Sequence, residues 1–164
     1  MIMQSLADRF RDTMRRTASG VVVLTTDGEA GRAGVTVSTF CSLSMEPPSV
    51  VACVHRDNRA LETLLKNEVF VANVLADNQE FIAKAFAGLI PELSEDRFAS
   101  GEWQDLATGA PALRNALAAF DCKVASIFEF GTHRILVGEV FEISDCNGDP
   151  LVFADRNFRK LESA

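Results

Sequence analysis

A closed antiparallel β-barrel with flanking helices, a mainly β fold, is the class this sequence predicts. Three observations predict it. About six stretches are β-branched or alternate apolar with polar residues. Few helical periods lie between them, whereas a doubly wound parallel sheet needs one after nearly every strand. Turn signals at Asp27-Gly28, Gly131 and Asn147-Gly148 punctuate the strands.

Taken in order, Leu6, Phe10 and Met14 recur at helical spacing behind Ser5, predicting an amphipathic helix that Gly20 stops. Val21–Thr26 reads as a strand, closed by Asp27-Gly28. Gly31 and Gly34 lead to a second strand at Val35–Phe40. Pro47-Pro48 suit neither a helix interior nor a central strand, so they belong to the loop before a strand at Ser49–Val54. Asp57 or Asn58 caps a helix carrying Leu61, Leu64 and Leu65, which ends near Asn67. Val69–Leu75 returns to strand composition. Asp77 with Glu80 is a capping-box pattern for a helix presenting Phe81, Ile82, Ala85 and Phe86.

From Gly88 to Pro111 the periodicity fails, around the single tryptophan, Trp103. So long an irregular stretch is expected to be a lid or an interface segment. Beyond it Phe120, Cys122 and Val124 alternate with polar residues, as do Ile135, Val137, Phe141 and Ile143, with Gly131 between the two runs. Asn147-Gly148 reads as a further hairpin leading into Leu151–Ala154 and a basic tail.

The 164 residues make one domain, 1–164, without repeat or linker. A net charge of −7 argues against a nucleic-acid or anionic-membrane partner. No apolar run approaches the ~20 residues that span a bilayer. Met1–Arg16 is charge-mixed rather than basic then apolar, so no signal peptide and a cytoplasmic location are expected. The cysteines (Cys41, Cys53, Cys122 and Cys146) contain no CxxC pair, so no metal site is expected, and buried free thiols are. Gly28, Gly31 and Gly34 are spaced G-x-x-G-x-x-G with no helix following, unlike a dinucleotide fingerprint. With only His55 and His133 available, no conventional hydrolase triad suggests itself.

One segment carries chemistry. Thr36-Val37-Ser38-Thr39-Phe40-Cys41-Ser42-Leu43-Ser44 crowds small hydroxyl residues at a strand end. Such a segment either surrounds a phosphate closely or is a Ser/Thr-rich strand edge and turn. The run from Gly34 to Val51, through Met45-Glu46-Pro47-Pro48, resembles the flavin-site signature of the flavin reductase-like, FMN-binding split-barrel family. Within it the chain looks most like the short-chain reductase components of two-component monooxygenases. Further fragments extend the resemblance along the chain: Ala18-Ser19-Gly20-Val21, Ala72-Asn73-Val74-Leu75, Phe86-Ala87-Gly88, Asp96-Arg97-Phe98 and Gly131-Thr132-His133.

The resemblance implies a Greek-key, antiparallel split barrel that binds FMN or FAD, with NADH or NADPH as co-substrate. It implies a homodimer that hands reduced flavin to a monooxygenase. Thr36, Val37, Ser38 and Thr39 match positions lining the ribityl and phosphate groups, with Gly34–Val54 forming most of the seat. Cys53 and Val54 match a strand along the flavin ring edge. Arg59 and Ala60 match the phosphate end, although by type Arg59 is equally an exposed helix charge. Phe86, Ala87 and Gly88 match a helix end beside the flavin, where a phenylalanine by itself reads as core. His133 matches the family's catalytic-site histidine, and by itself reads as structural. Arg156 is either a surface arginine or a nucleotide-phosphate contact. Phe153 and Phe158 stand where relatives often carry tyrosine. Two other readings remain open: a tightly bound flavin reducing ferric iron or a cobalt corrinoid, and a flavin- or haem-binding module without turnover.

Overall fold

The computed structural model describes residues 4–162, so the expected domain of 1–164 runs past the described residues at both ends. Helix α1 (Leu6–Met14) is followed by β1 (Ser19–Gly20), β2 (Val22–Thr26), β3 (Ala33–Val37), β4 (Phe40–Met45) and β5 (Pro48–His55). Helix α2 (Arg59–Asn67), β6 (Val69–Val74) and α3 (Glu80–Phe86) come next. Short 3₁₀ turns at Pro91–Leu93 and Arg97–Ser100 precede β7 (Trp103–Asp105) and β8 (Pro111–Leu113). The long pair β9 (Ala118–Phe130) and β10 (His133–Asp145) is followed by β11 (Val152–Ala154) and β12 (Asn157–Arg159).

Seven strands form one antiparallel sheet in the order β3-β2-β6-β9-β10-β5-β4. Its two edges, β3 and β4, are consecutive in the chain, with only Ser38 and Thr39 between them. Three Cα steps span at most roughly 11 Å, so the sheet must curl until its edges meet. No ladder joins β3 to β4 among the described residues. The barrel is therefore split, closed along a seam at Ser38-Thr39. β6 returns to β2 and β10 to β5 across intervening strands, the connectivity of a Greek key rather than of an up-and-down barrel.

Two cores share β2. Val22 and Leu24 point into the barrel with Val35, Ala52, Val54, Phe70 and Leu136, while Val21 and Val23 face outward beneath α3. Helix α2 closes the barrel with Ala60, Leu61 and Leu64. Asn58 starts it by accepting the Ala60 N–H at 2.9 Å, and Glu68 ends it in the left-handed region at φ 56°. The expected Ser5 cap of α1 is present, since its Oγ accepts the Asp8 N–H at 3.1 Å.

The structure corrects several expectations. The strand expected at Val35–Phe40 stops at Val37, and Phe40 instead begins β4 with residues 41–45, which carried no strand reading. Pro48 is the first residue of β5 rather than part of a loop. Asp77 does not cap α3; its carboxylate pairs with Lys160 at 2.9 Å, and the N-cap position is Gln79. Phe81, expected on the buried face of α3, is exposed, as are Phe141 and Ile143. Asn147-Gly148 joins no hairpin, because β11 pairs with β1 and β12 rather than with β10. Of the four thiols only Cys122 is buried, where burial and the Asp121 charge push it up to about 12. Cys41 and Cys146 are exposed.

The irregular stretch after Gly88 is a packed cover over the second core. Trp103 and Phe98 stack edge-on against Phe86, at centroid distances of 5.6 and 5.0 Å. Buried Asn73 accepts the Leu113 N–H at 2.7 Å, and Thr25 donates to the Pro111 carbonyl at 2.5 Å. Asp121 receives Thr108 through both its backbone N–H and its hydroxyl. Burial still raises the Asp121 carboxyl above its ordinary value, and those two bonds oppose the shift.

Candidate functional site

Strand β3 and the seam after it run past three grooves. The first, about 410 Å³, is lined by Arg32, Gly34, Arg59, Ala60, Phe86 and Arg97 among others. The second, about 520 Å³, takes Thr36, Val37 and Ser38 from the end of β3, with Ala87, Phe153 and Arg156 opposite. A third, about 630 Å³, shares Ser38, Phe153 and Arg156 with the second and adds Thr39, Phe40 and Cys41. Ligands of nucleotide size occupy clefts of this scale.

At the first groove Gly34, having no side chain, lets the Phe86 ring pack directly on the β3 backbone. A Cβ there would lie 2.5 Å from the Phe86 ring. Phe86 is itself fully buried, so it shapes the groove wall as a core residue. Arg97 donates to the Phe86 carbonyl at 3.1 Å, which fixes its guanidinium at the end of α3 beside Gly88, where φ is 76°. Arg32 lies over the Phe98 ring at 4.4 Å and 3.4 Å from Asp27. Arg59 is exposed in the first turn of α2, where the helix dipole favours an anion.

At the second groove Thr36 uses its hydroxyl to hold α3, donating to the Ala83 carbonyl at 2.7 Å. Ser38 and Thr39 are exposed on the seam itself. Arg156 sits at the tip of the β11–β12 hairpin, where Asp155 and Arg156 both have positive φ, 50° and 62°.

The strand residues divide by face. Val54 points into the barrel and is 1% exposed, whereas Cys53 faces outward and is half-buried. The Cys53 N–H donates to the Thr39 carbonyl at 3.2 Å, which ties β5 to the seam. Burial, then the neighbouring Cys41, raises the Cys53 thiol. Two residues further along β5, roughly 7 Å by strand rise, His55 stands directly opposite His133 on β10. His133 is exposed and lines none of the three grooves; it lies at the barrel end where β5 turns into α2. The sequence-derived residues thus divide. Arg59, Ala60 and Phe86 line the first groove, and Thr36, Val37, Ser38, Thr39, Ala87 and Arg156 line the second or third. Cys53, Val54, Gly88 and His133 line none of the three. Arg32 and Arg97 were missed as lining residues. Asp96-Arg97-Phe98 stood out only as a fragment, and Arg32 carried no signal before the fold placed it.

Residues 14–162 match the family model described as a flavin reductase like domain. The chain belongs to this family. Among similar proteins, "FMN reductase (NADH) RutF" of Pantoea ananatis is 42% identical over 155 residues, covering 93% of this chain and 80% of that protein. The solved structure of nitrilotriacetate monooxygenase component B from Mycobacterium thermoresistibile superposes with a TM-score of 0.86 at 27% identity, covering 94% of this chain and 86% of that one. NADH:FAD oxidoreductase SgcE6 of Streptomyces globisporus, solved with NAD and FAD fragments, gives a TM-score of 0.88 at 29% identity and covers 99% of this chain and 98% of that one. The split barrel of this flavin reductase-like chain is the fold its sequence pointed to. No helix among its described residues is long and apolar enough to cross a membrane.

Proposed function

We propose that this protein is an NAD(P)H-dependent flavin reductase that passes hydride from a nicotinamide to FMN or FAD and supplies reduced flavin to a partner monooxygenase. The observation that carries this reading is the group of three grooves along β3 and the barrel seam. They offer three arginines, with Glu95 and Asp96, in the first, and hydroxyls, aromatic rings and Arg156 in the other two. That set of donors suits a flavin nucleotide. Arg59 and the α2 N-terminus would hold the phosphate, aided by Ala60. Thr36, Val37, Ser38 and Thr39 would flank the ribityl chain, and Ala87 and Gly88 would border the ring. NADH as donor and FMN as acceptor follow the name of the Pantoea ananatis relative.

When bound, the flavin and nicotinamide supply the hydride chemistry between nicotinamide C4 and flavin N5. The protein's part is to hold the two rings in contact and limit water at their faces. The Cys53 N–H is already committed to Thr39, so it acts by fixing the seam rather than by donating to the flavin. Val54 supports the strand from inside. His133, outside the three grooves at the β5–α2 end of the barrel, is the catalytic candidate, an orienting hydrogen-bond donor to a nicotinamide or flavin that reaches that end. Ser38 and Thr39 are exposed, and a seat so open suits a flavin that exchanges with solution and reaches a separate oxygenase. The protein acts in the cytoplasm as a homodimer on this reading.

The test is to mix the protein with NADH or NADPH and free FMN or FAD and follow the nicotinamide absorbance band. Flavin-dependent oxidation, faster with NADH, is expected. Absence of oxidation with every flavin would favour a flavin- or haem-binding module.

A further inference from the structure

A second histidine stands beside His133, and the reading above gives it no part. His55 is the direct cross-strand partner of His133 in the β5–β10 ladder, and their rings meet edge-on, 5.1 Å between centroids and 79° between planes. The Nδ1 of His55 accepts the Asp57 N–H at 3.2 Å, with the Asp57 carboxylate 3.9 Å away. A ring nitrogen that accepts an N–H carries no proton, so neutral His55 keeps its proton on Nε2. The Nδ1 of His133 lies 2.9 Å from the Thr132 hydroxyl, and the Thr132 carbonyl accepts the Arg56 N–H at 2.9 Å. The turn that carries His133 and the turn that carries His55 are therefore bonded to each other, and each imidazole is also anchored at Nδ1 by its own turn.

We infer that His55 is a positioning residue: its ring fixes the orientation of the His133 imidazole and leaves His133 Nε2 as the nitrogen presented to the reacting rings. The inference rests on the flavin reductase reading, in which His133 meets the cofactors. An exposed histidine otherwise samples several rotamers, and the Thr132 hydroxyl alone restrains one nitrogen without fixing the ring plane. A ring packed against it restrains that plane.

The experiment is a double-mutant cycle on the flavin-reduction rate, read by stopped flow with NADH and free FMN, for His55→Ala, His133→Ala and the double variant. His55→Ala is expected to slow reduction roughly 3- to 10-fold, the rate equivalent of one edge-on aromatic contact, with the KM for NADH nearly unchanged. The double variant should be no slower than His133→Ala. His55→Phe, which keeps a ring and loses the Nδ1 acceptor, should recover most of the rate. In ¹⁵N spectra, His133 should show one dominant tautomer in the wild type and averaging in His55→Ala. A double variant slower by the product of the single effects would overturn the inference while leaving the function intact. So would His55→Phe as slow as His55→Ala, or His55→Ala at the wild-type rate. His133→Ala at the wild-type rate would remove the role of His133 itself, and this inference with it.

Discussion

The imidazole of His133 is held at the first position of a long strand, exposed, with Thr132 on one side and His55 on the other. It touches little of the core, so replacing it should perturb chemistry more than folding. His133→Ala is expected to lower the flavin-reduction rate by about tenfold or more, within the usual reach of a positioned donor. The flavin dissociation constant should move less than threefold. Equal losses in rate and binding would instead make His133 a binding residue. At this scale a motif of adjacent residues maps simply, and Thr36 to Thr39 run from the end of β3 through the seam along the second and third grooves. The sequence was less legible where face decided the role. Cys53 and Val54 are neighbours in one motif, yet strand alternation sends Val54 into the barrel and leaves Cys53 outside. Phe86 by itself reads as core, and it is a buried core ring packed against the Gly34 backbone.

Among the elements, the β11–β12 hairpin holds its shape at a cost. Its two-residue loop places Asp155 and Arg156 in the left-handed region, which turns of this kind normally fill with Asn-Gly. Arg156 lines two grooves from that position. Arg156→Gly is therefore expected to stabilise the protein by about 0.5–1 kcal/mol while weakening nucleotide binding severalfold. Thermal unfolding and NADH titration would check the pair, and a variant that lost stability would contradict the strain. Elements were legible where a period of two or 3.6 ran unbroken, as in α1, α2, β2 and β6. β4 was obscured because hydroxyl residues beside two prolines read as a loop, and only pairing with β5 makes them a strand. The cover from Gly88 to Leu113 was illegible because its order comes from contacts distant in sequence, Trp103 on Phe86 and Leu113 on Asn73.

Across the whole molecule, apolar side chains are unevenly placed. Phe130 and Met45 are 81% and 82% exposed, and Phe128 and Leu43 are also open. The phenylalanines lie level with His55 and the other two level with the opposite end of β5, near Pro48, so they make two separate patches. Exposed apolar patches often mark contacts with another chain, in keeping with the proposed homodimer. Light scattering is expected to give twice the 17.8 kDa chain mass, and a monomer would exclude the assembly. The seam between β3 and β4 has a different consequence. Each of these strands is paired on one side only, so each offers unpaired backbone groups beside the other. Bare edges of this kind template pairing with foreign strands. A nucleotide seated along the seam, as proposed, would shield them and so double as protection against aggregation. Heated at fixed concentration, the flavin-saturated protein should turn turbid later than the flavin-free protein; simultaneous onset would mean that the edges guard themselves. The gap proposed to seat an electron carrier would thus also be where the barrel is most open to joining the wrong partner.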